Sequence, residues 1–217
     1  MNVKRFQGGY DKNFCYVVSC EETKVAAIID PSVEINPVIE YIESNDLILD
    51  KVLITHTHHD HIYYLDDFID LYPLLKVYAS ANARLPKTVD FKKIEHNDVV
   101  MVGKHFILAL FTPGHYMDSI CYWVKSQNIV FTGDTMFVGR TGRTISSGSD
   151  IKKLYHSIYD ILLKLPLDTV IFPGHHYGFC KDISLKDNIK LSNFFQCNSF
   201  SEFDKVMQNF EKSRKKL

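Results

Sequence analysis

The amino-acid sequence predicts an α+β chain whose β-sheets pack together with helices outside. Two observations carry this. Runs rich in β-branched and aromatic residues fall in two blocks, each accompanied by segments with apolar residues at helical spacing. Four clusters of histidine, aspartate and glycine each come directly after a strand-like run, the pattern expected when strand ends aim polar groups at one cleft.

Phe14 to Cys20 and Lys24 to Asp30 read as two strands of a hairpin about the polar turn Glu21-Glu22-Thr23. Pro31 stops the second. Val38, Ile39 and Ile42 mark a helix, with Asn36 as N-cap and Pro37 in the first helical position. Lys51 to Thr55 is an almost wholly apolar strand, expected to be buried on both faces. Leu65, Phe68, Ile69 and Tyr72 give a short helix ended by Pro73, and Lys76 to Ala79 a further strand. Asn82 to Lys93 reads as an irregular surface excursion.

In the second block, Val99 to Val102 pairs with His105 to Phe111 across Gly103-Lys104, and Ile120 to Val124 pairs with Asn128 to Phe131. A helix is expected from about Asp150 to Leu165, capped by Ser149 or Asp150, with Leu154, Ile158 and Leu162 in its apolar stripe. Thr169 to Phe172 is the last clear strand. Helical segments follow around Leu185 to Phe195 and Ser201 to Lys212; the second carries Phe203, Val206, Met207 and Phe210 on one face.

The 217 residues suit a single domain over 1–217, with short C-terminal helices in 178–217. Those aromatic helices could cover the chain's own core or a second subunit, so the oligomeric state stays open. A net charge of -1 gives no signal for nucleic acid or an acidic membrane, and the basic tail Lys212 to Lys216 reads as a solvated end. The first nine residues hold no apolar core of signal-peptide length, and no stretch approaches the ~20 apolar residues of a membrane span. Cys15, Cys20, Cys121, Cys180 and Cys197 form no Cys-x-x-Cys pair and read as reduced, small core residues. A cytoplasmic protein without a membrane partner is expected.

The densest cluster is Thr55-His56-Thr57-His58-His59-Asp60-His61, a His-x-His-x-Asp-His order directly after an apolar strand. Residues one and two apart do not share a helical face, so these groups converge only on a loop. Imidazole and carboxylate are ligands for zinc, iron and manganese. Three further clusters are Thr112-Pro113-Gly114-His115, Thr132-Gly133-Asp134-Thr135 and Pro173-Gly174-His175-His176, each with a glycine before its candidate ligand. His96, His105 and His156 read as hydrogen-bonded bystanders, and His59 and His176 only adjoin the motifs.

His56-x-His58-x-Asp60-His61 with His115, Asp134 and His175 resembles the complete ligand set of the metallo-β-lactamase superfamily, over about Phe14 to Tyr177. The resemblance implies a four-layer αββα sandwich with a metal site at one edge. Gly133-Asp134-Thr135-Met136-Phe137, Gly142-Arg143 and Gly174-His175-His176-Tyr177 are similar to the glyoxalase II branch and its persulfide dioxygenase relatives. By that likeness His56, His58 and His115 hold one divalent ion, Asp60, His61 and His175 a second, and Asp134 bridges both. The ions implied are zinc or iron, with manganese also suited. The implied chemistry is hydrolysis by metal-bound hydroxide, with Asp60 orienting it and accepting its proton, on a small anionic thioester such as S-lactoylglutathione. Two divalent ions, two carboxylates and a hydroxide leave the filled site at about +1, which draws anions.

Arg143 and Tyr177 match positions that contact glutathione in glyoxalase II. Ile62-Tyr63-Tyr64 stands where the family has glycines, so Tyr63 adds bulk beside the site. Tyr116 opens Tyr116-Met117-Asp118, whose acidic third residue falls near an expected substrate mouth. Ile145 stands where an aromatic hydroxyl is expected, and the helical substrate-binding domain of full-length glyoxalase II has no counterpart after Gly178. The rival activity is a persulfide dioxygenase with one Fe(II) on His56, His115 and Asp134. A non-catalytic metal-binding module is the third reading, and an RNA-cleaving role lacks both an inserted domain and a basic surface.

Overall fold

The computed structural model describes residues 1–214. Among these, two six-stranded sheets lie face to face. The first sheet runs β1 (Asn2–Gly8), β2 (Asn13–Ser19), β3 (Val25–Ile29), β4 (Ile48–Leu53), β5 (Lys76–Ser80) and β6 (Phe91–Ile94) in chain order across its width. Helix α1 (Ile35–Ser44) links β3 to β4, and α2 (Leu65–Leu71) links β4 to β5. The second sheet takes β7 (Val99–Val102), β8 (His105–Phe111), β9 (Ile120–Val124) and β10 (Ile129–Gly133) in the order β10-β9-β8-β7. A two-residue-per-strand hairpin, β11 (Met136–Phe137) with β12 (Arg140–Thr141), leads to α3 (Ile151–His156). Then β13 (Val170–Pro173) pairs parallel to β10, and β14 (Ile183–Ser184) lies on its far side. Helices α4 (Leu185–Leu191) and α5 (Phe200–Arg214) close the described chain.

Three apolar layers make this a four-layer αββα sandwich. The central one draws Phe14, Tyr16, Ile29 and Leu53 from the first sheet and Ile107, Tyr122 and Phe131 from the second. An outer layer sets Val38, Ile42, Leu65 and Phe68 of α1 and α2 against Val17, Ile28, Val52 and Val77. The other sets Leu154, Ile158, Leu162, Phe203 and Met207 against Cys121, Val130 and Ile171. Strand β4 is buried on both faces at Val52 and Leu53, as its apolar run predicts. Fully burying each such side chain contributes about 1.5–3 kcal/mol before entropy is counted.

Strand directions place the site. Strands β3 and β4 run parallel, as do β10 and β13, and β8 runs with β10 through antiparallel β9. All five therefore end on one edge of the sandwich, where their C-terminal loops meet. Two core tyrosines hold those ends. Tyr16 donates its hydroxyl to the Pro173 carbonyl at 2.6 Å, just before Gly174-His175, and Tyr122 donates to the Ile54 carbonyl at 2.8 Å, just before Thr55-His56. The Phe14 N–H donates to the Gly174 carbonyl at 2.7 Å, tying the two sheets together at this edge.

Several boundaries differ from the pattern read in the sequence. Strand β1 carries Lys4, Arg5 and Gln7 on an edge with alternating exposure, so it shows no apolar run. Phe91–Ile94, overlapping the end of the expected excursion, is an edge strand. Helix α1 begins at Ile35 without a side-chain cap, so Asn36 and Pro37 lie in its first turn. Asp150 caps α3, accepting from the Lys152 and Lys153 N–H groups, but beyond His156 the helix widens to a π turn (Ser157–Ile161) and tightens to 3-10 (Leu162–Lys164). The pair β11–β12 and strand β14 are too short for a sequence signal. Helix α5 packs on the chain's own core through buried Phe203 and Met207. Lys212 and Arg214 are exposed, and Arg214 also lines the cleft beside Asp134; Lys215 and Lys216 lie outside the described residues. Among the described residues no helix is long and apolar enough to cross a membrane. All five cysteines are unpaired; Cys180 alone is only partly buried.

Candidate metal centre

Every one of the seven candidate ligands reaches the same edge. The loop after β4 turns through a 3-10 segment, His59–His61, so His56, His58, Asp60 and His61 leave it in different directions. His56 Nε2 lies 3.0 Å from His58 Nδ1, which lies 3.0 Å from His115 Nε2. His61 Nε2 lies 3.1 Å from His175 Nε2, and Asp60 Oδ2 lies 3.3 Å from the same His175 nitrogen. These make two groups, His56-His58-His115 and Asp60-His61-His175, each with ligand atoms close enough for one ion. Asp134 stands between them. Its Oδ2 is 3.5 Å from His115 Nε2, while its Oδ1 is 3.2 Å from His61 Nε2 and 3.4 Å from His175 Nε2.

The donor set fits divalent ions. Through the nitrogen that does not face the centre, His56, His61, His115 and His175 are hydrogen-bonded outward, which fixes the orientation of those rings. His61 Nδ1 meets Asp30 Oδ2 at 2.8 Å, His115 Nδ1 meets the Arg143 carbonyl at 2.8 Å, and His175 Nδ1 meets the Asp11 carbonyl at 2.9 Å. The inward Oδ1 of Asp134 is buried and makes no hydrogen bond of good geometry; only the imidazole nitrogens of His61 and His175 face it, at 3.2 and 3.4 Å. Such an orphan atom is costly unless a cation or donor meets it. Glycine is required beside it: a Cβ on Gly174 would lie 2.5 Å from that oxygen, and Gly133 takes a φ of +47° against Thr55.

Charge divides the two groups. Burial, reinforced by neighbouring imidazoles, holds His56 well below the ordinary histidine value and His58 at about 4; burial also lowers His115 against the pull of Asp134. These three are neutral at pH 7 and ready to ligate. In the other group burial opposes protonation, but Asp134 and Asp30 raise His61 well above its ordinary value, and Asp134 raises His175. Burial would lift both carboxylates. His175 and His61 instead hold Asp134 well down, and His61 with the Asn13 amide lowers Asp60.

The expected substrate residues separate. Tyr116 lies over His58 at 4.3 Å between ring centroids. Tyr63 is exposed and edge-on to Tyr10 at 4.9 Å, beside His59. Tyr177 stacks on His175 and donates its hydroxyl to Asp11 Oδ2 at 2.6 Å. Arg143 lies on the cleft rim but is held by Glu211. Asp118 is not at a substrate mouth: it is 1% exposed and accepts the Thr57 N–H and hydroxyl, because the chain after His115 turns inward. Of the bystander histidines, His96 accepts the Phe111 N–H and His156 meets Asp160, while His176 stacks on Phe14.

Three site residues carry no motif. Asp30 accepts from Thr55 N–H, the Thr55 hydroxyl and His61, at a φ of +53° just past β3. A strand-end Asp before Pro31 is its only sequence signal. Asn13 donates to Asp60 Oδ2 at 2.9 Å, and Arg140 lies in the cleft beside Asp134. Neither shows a signal in the sequence.

The family model of the metallo-beta-lactamase superfamily matches residues 8–175. A probable hydroxyacylglutathione hydrolase, glo2, of Schizosaccharomyces pombe is 36% identical over 190 residues, 85% of this chain and 69% of that protein. A probable polyketide biosynthesis zinc-dependent hydrolase, BaeB, of Bacillus velezensis is 28% identical over 199 residues, 88% of this chain and 85% of that protein. The crystal structure of ETHE1 from Myxococcus xanthus superposes with a TM-score of 0.87 at 29% identity, covering 97% of this chain and 91% of that one.

Proposed function

The chain belongs to the metallo-β-lactamase superfamily, on its glyoxalase II-like branch, and from that premise we propose that it hydrolyses small anionic thioesters resembling S-lactoylglutathione. The observation that carries this is the carboxylate of Asp134, which splits its oxygens between two histidine groups and leaves buried Oδ1 without a well-formed hydrogen bond. In this reading His56, His58 and His115 hold one ion, Asp60, His61 and His175 the other, and Asp134 both. Zinc or iron suits these ligands, with manganese a further choice.

Bound there, divalent ions lower the pKa of water toward neutrality and polarise a carbonyl. The chain's own groups do the rest. The contacts from Asn13 and His175 fall on Asp60 Oδ2, which leaves Oδ1 to take the proton of the attacking water. Asp30 keeps the His61 ring turned inward. Tyr116, Tyr63 and Tyr177 wall the substrate, and Arg143 sits at its rim. A thiolate leaves without a general acid, so none is needed.

Residues 1–217 act as one unit in this proposal, since α5 shares the core of the second sheet. Five unpaired cysteines suit the reducing cytoplasm.

Metal analysis of protein purified without added metal, with an assay on S-lactoylglutathione, tests the reading. About two ions per chain and turnover are expected. One iron per chain with O2 uptake on glutathione persulfide would assign His56, His115 and Asp134 to a dioxygenase instead, and protein with neither metal nor activity would be a binding module.

A further inference from the structure

The cleft beside His115 and Asp134 holds three guanidiniums, Arg140, Arg143 and Arg214, together with Asp11, Phe137 and Tyr177. They are not equivalent. Arg143 spends its fork on Glu211, with Nε to Oε1 at 2.7 Å and Nη2 to Oε2 at 2.5 Å. The Asp11 carboxylate accepts the Tyr177 hydroxyl.

Arg140 meets no carboxylate among the described residues. Its guanidinium carbon lies 4.3 Å from the Tyr177 ring centroid, 4.9 Å from Phe137 and 5.3 Å from Phe210. Contacts with ring faces hold a guanidinium plane while leaving its N–H edge unspent. Arg214, from the last turn of α5, lies 5.8 Å from the same Phe210 ring. Two like charges thus share one aromatic wall, beside the reaction centre, with donors still to satisfy. Such a fork matches a carboxylate in both spacing and charge. Arg140 leaves β12 and Arg214 leaves α5, so the pair exists only because α5 docks on the core.

We propose that Arg140, assisted by Arg214, forms the subsite for a carboxylate on the thiol half of the substrate. The ligand's identity rests on the thioester reading above; the subsite itself rests on the geometry. Arg143, held by Glu211, plays the lesser part. A small thiol bearing carboxylates, as glutathione does, is then selected over a neutral thiol.

The test is calorimetric titration of the metal-loaded protein with glutathione and with glutathione diethyl ester, which keeps the thiol and masks both carboxylates. Wild type is expected to bind glutathione at least ~10-fold more tightly than the ester. Arg140→Gln is expected to weaken glutathione about 10- to 100-fold and leave the ester unchanged. Arg214→Gln, on an exposed side chain, is expected to weaken glutathione by roughly 3- to 10-fold and covers the case in which the Arg140 variant misfolds. Equal binding of glutathione and its ester by wild type, or unaltered glutathione binding in both variants, overturns the subsite. Lactoyl-coenzyme A, whose anionic groups are phosphates, is the second arm: the same dependence of its KM on Arg140 would overturn the carboxylate assignment. If glutathione binds through Arg140 while S-lactoylglutathione is not hydrolysed, the subsite stands and the hydrolase reading falls.

Discussion

Glu211 grips Arg143 along one edge of the guanidinium and so ties helix α5 to the rim of the candidate metal centre. The two side chains keep 17% and 33% of their exposure, so solvent screens the pair and its stabilising effect is about 1 kcal/mol or less. Its larger effect is to neutralise a cation facing the substrate. Glu211→Gln should therefore lower KM for an anionic thioester by roughly 2- to 5-fold with little change in Tm. Steady-state kinetics at low salt reads this, and an increase in KM would show that Glu211 helps binding rather than competes with it.

Asp134→Ala should empty both ion positions, because the carboxylate faces both groups. Elemental analysis is expected to fall from about two ions per chain to well under one. Full occupancy in this variant refutes the bridging role.

Asp118 acts at one remove, by accepting the Thr57 N–H and hydroxyl between His56 and His58. Burial raises its carboxyl, and the two Thr57 donors pull it back. Asp118→Ala leaves those donors unmet, at about 1–3 kcal/mol. Chelator competition should show metal affinity weakened about 10- to 100-fold, with Asp118→Asn recovering part of it. A lower Tm with unchanged affinity would limit Asp118 to a structural part.

The charge division predicts how protons leave. His56, His58 and His115 lie below the ordinary histidine value, so the first ion displaces few protons near pH 7. His61 is raised well above that value and His175 above it, so this group holds its protons to higher pH and the second ion must displace more of them. The sign follows: as pH falls the His61-His175 group takes up protons before the other group and loses its ion first, and as pH rises its affinity is still climbing where that of the other group has levelled off. A metal titration in weak buffer should release more protons in its second equivalent than in its first. Equal release in both would contradict the division.

The candidate ligand motifs, which the structure brings to one edge, were legible because each is local. A glycine before a ligand, at the end of a β-branched run, needs no distant partner to be recognised. The helix faces of Leu154-Ile158-Leu162 and Phe203-Met207 were legible for the same reason, since one periodic stripe defines one buried face. Strand β1, the β11–β12 hairpin and the π turn after His156 were not, because their conformation is imposed by neighbours rather than by propensity.

By itself the sequence determined which residue types stand at strand ends, and with them a donor set suited to metal ions; the αββα class came through the family resemblance those motifs carry. Only the tertiary structure decided the partners. His61 meets His175 across 114 residues, Asp30 turns His61 inward, and Asp118 proves to be a clasp for Thr57. It also decided that Arg143 is spent on Glu211 and that Arg140 lies against aromatic rings and meets no carboxylate among the described residues. The physical reason is range. Propensity and periodicity act over a few residues, whereas a hydrogen bond forms only where sheet register and helix docking bring two groups within about 3 Å.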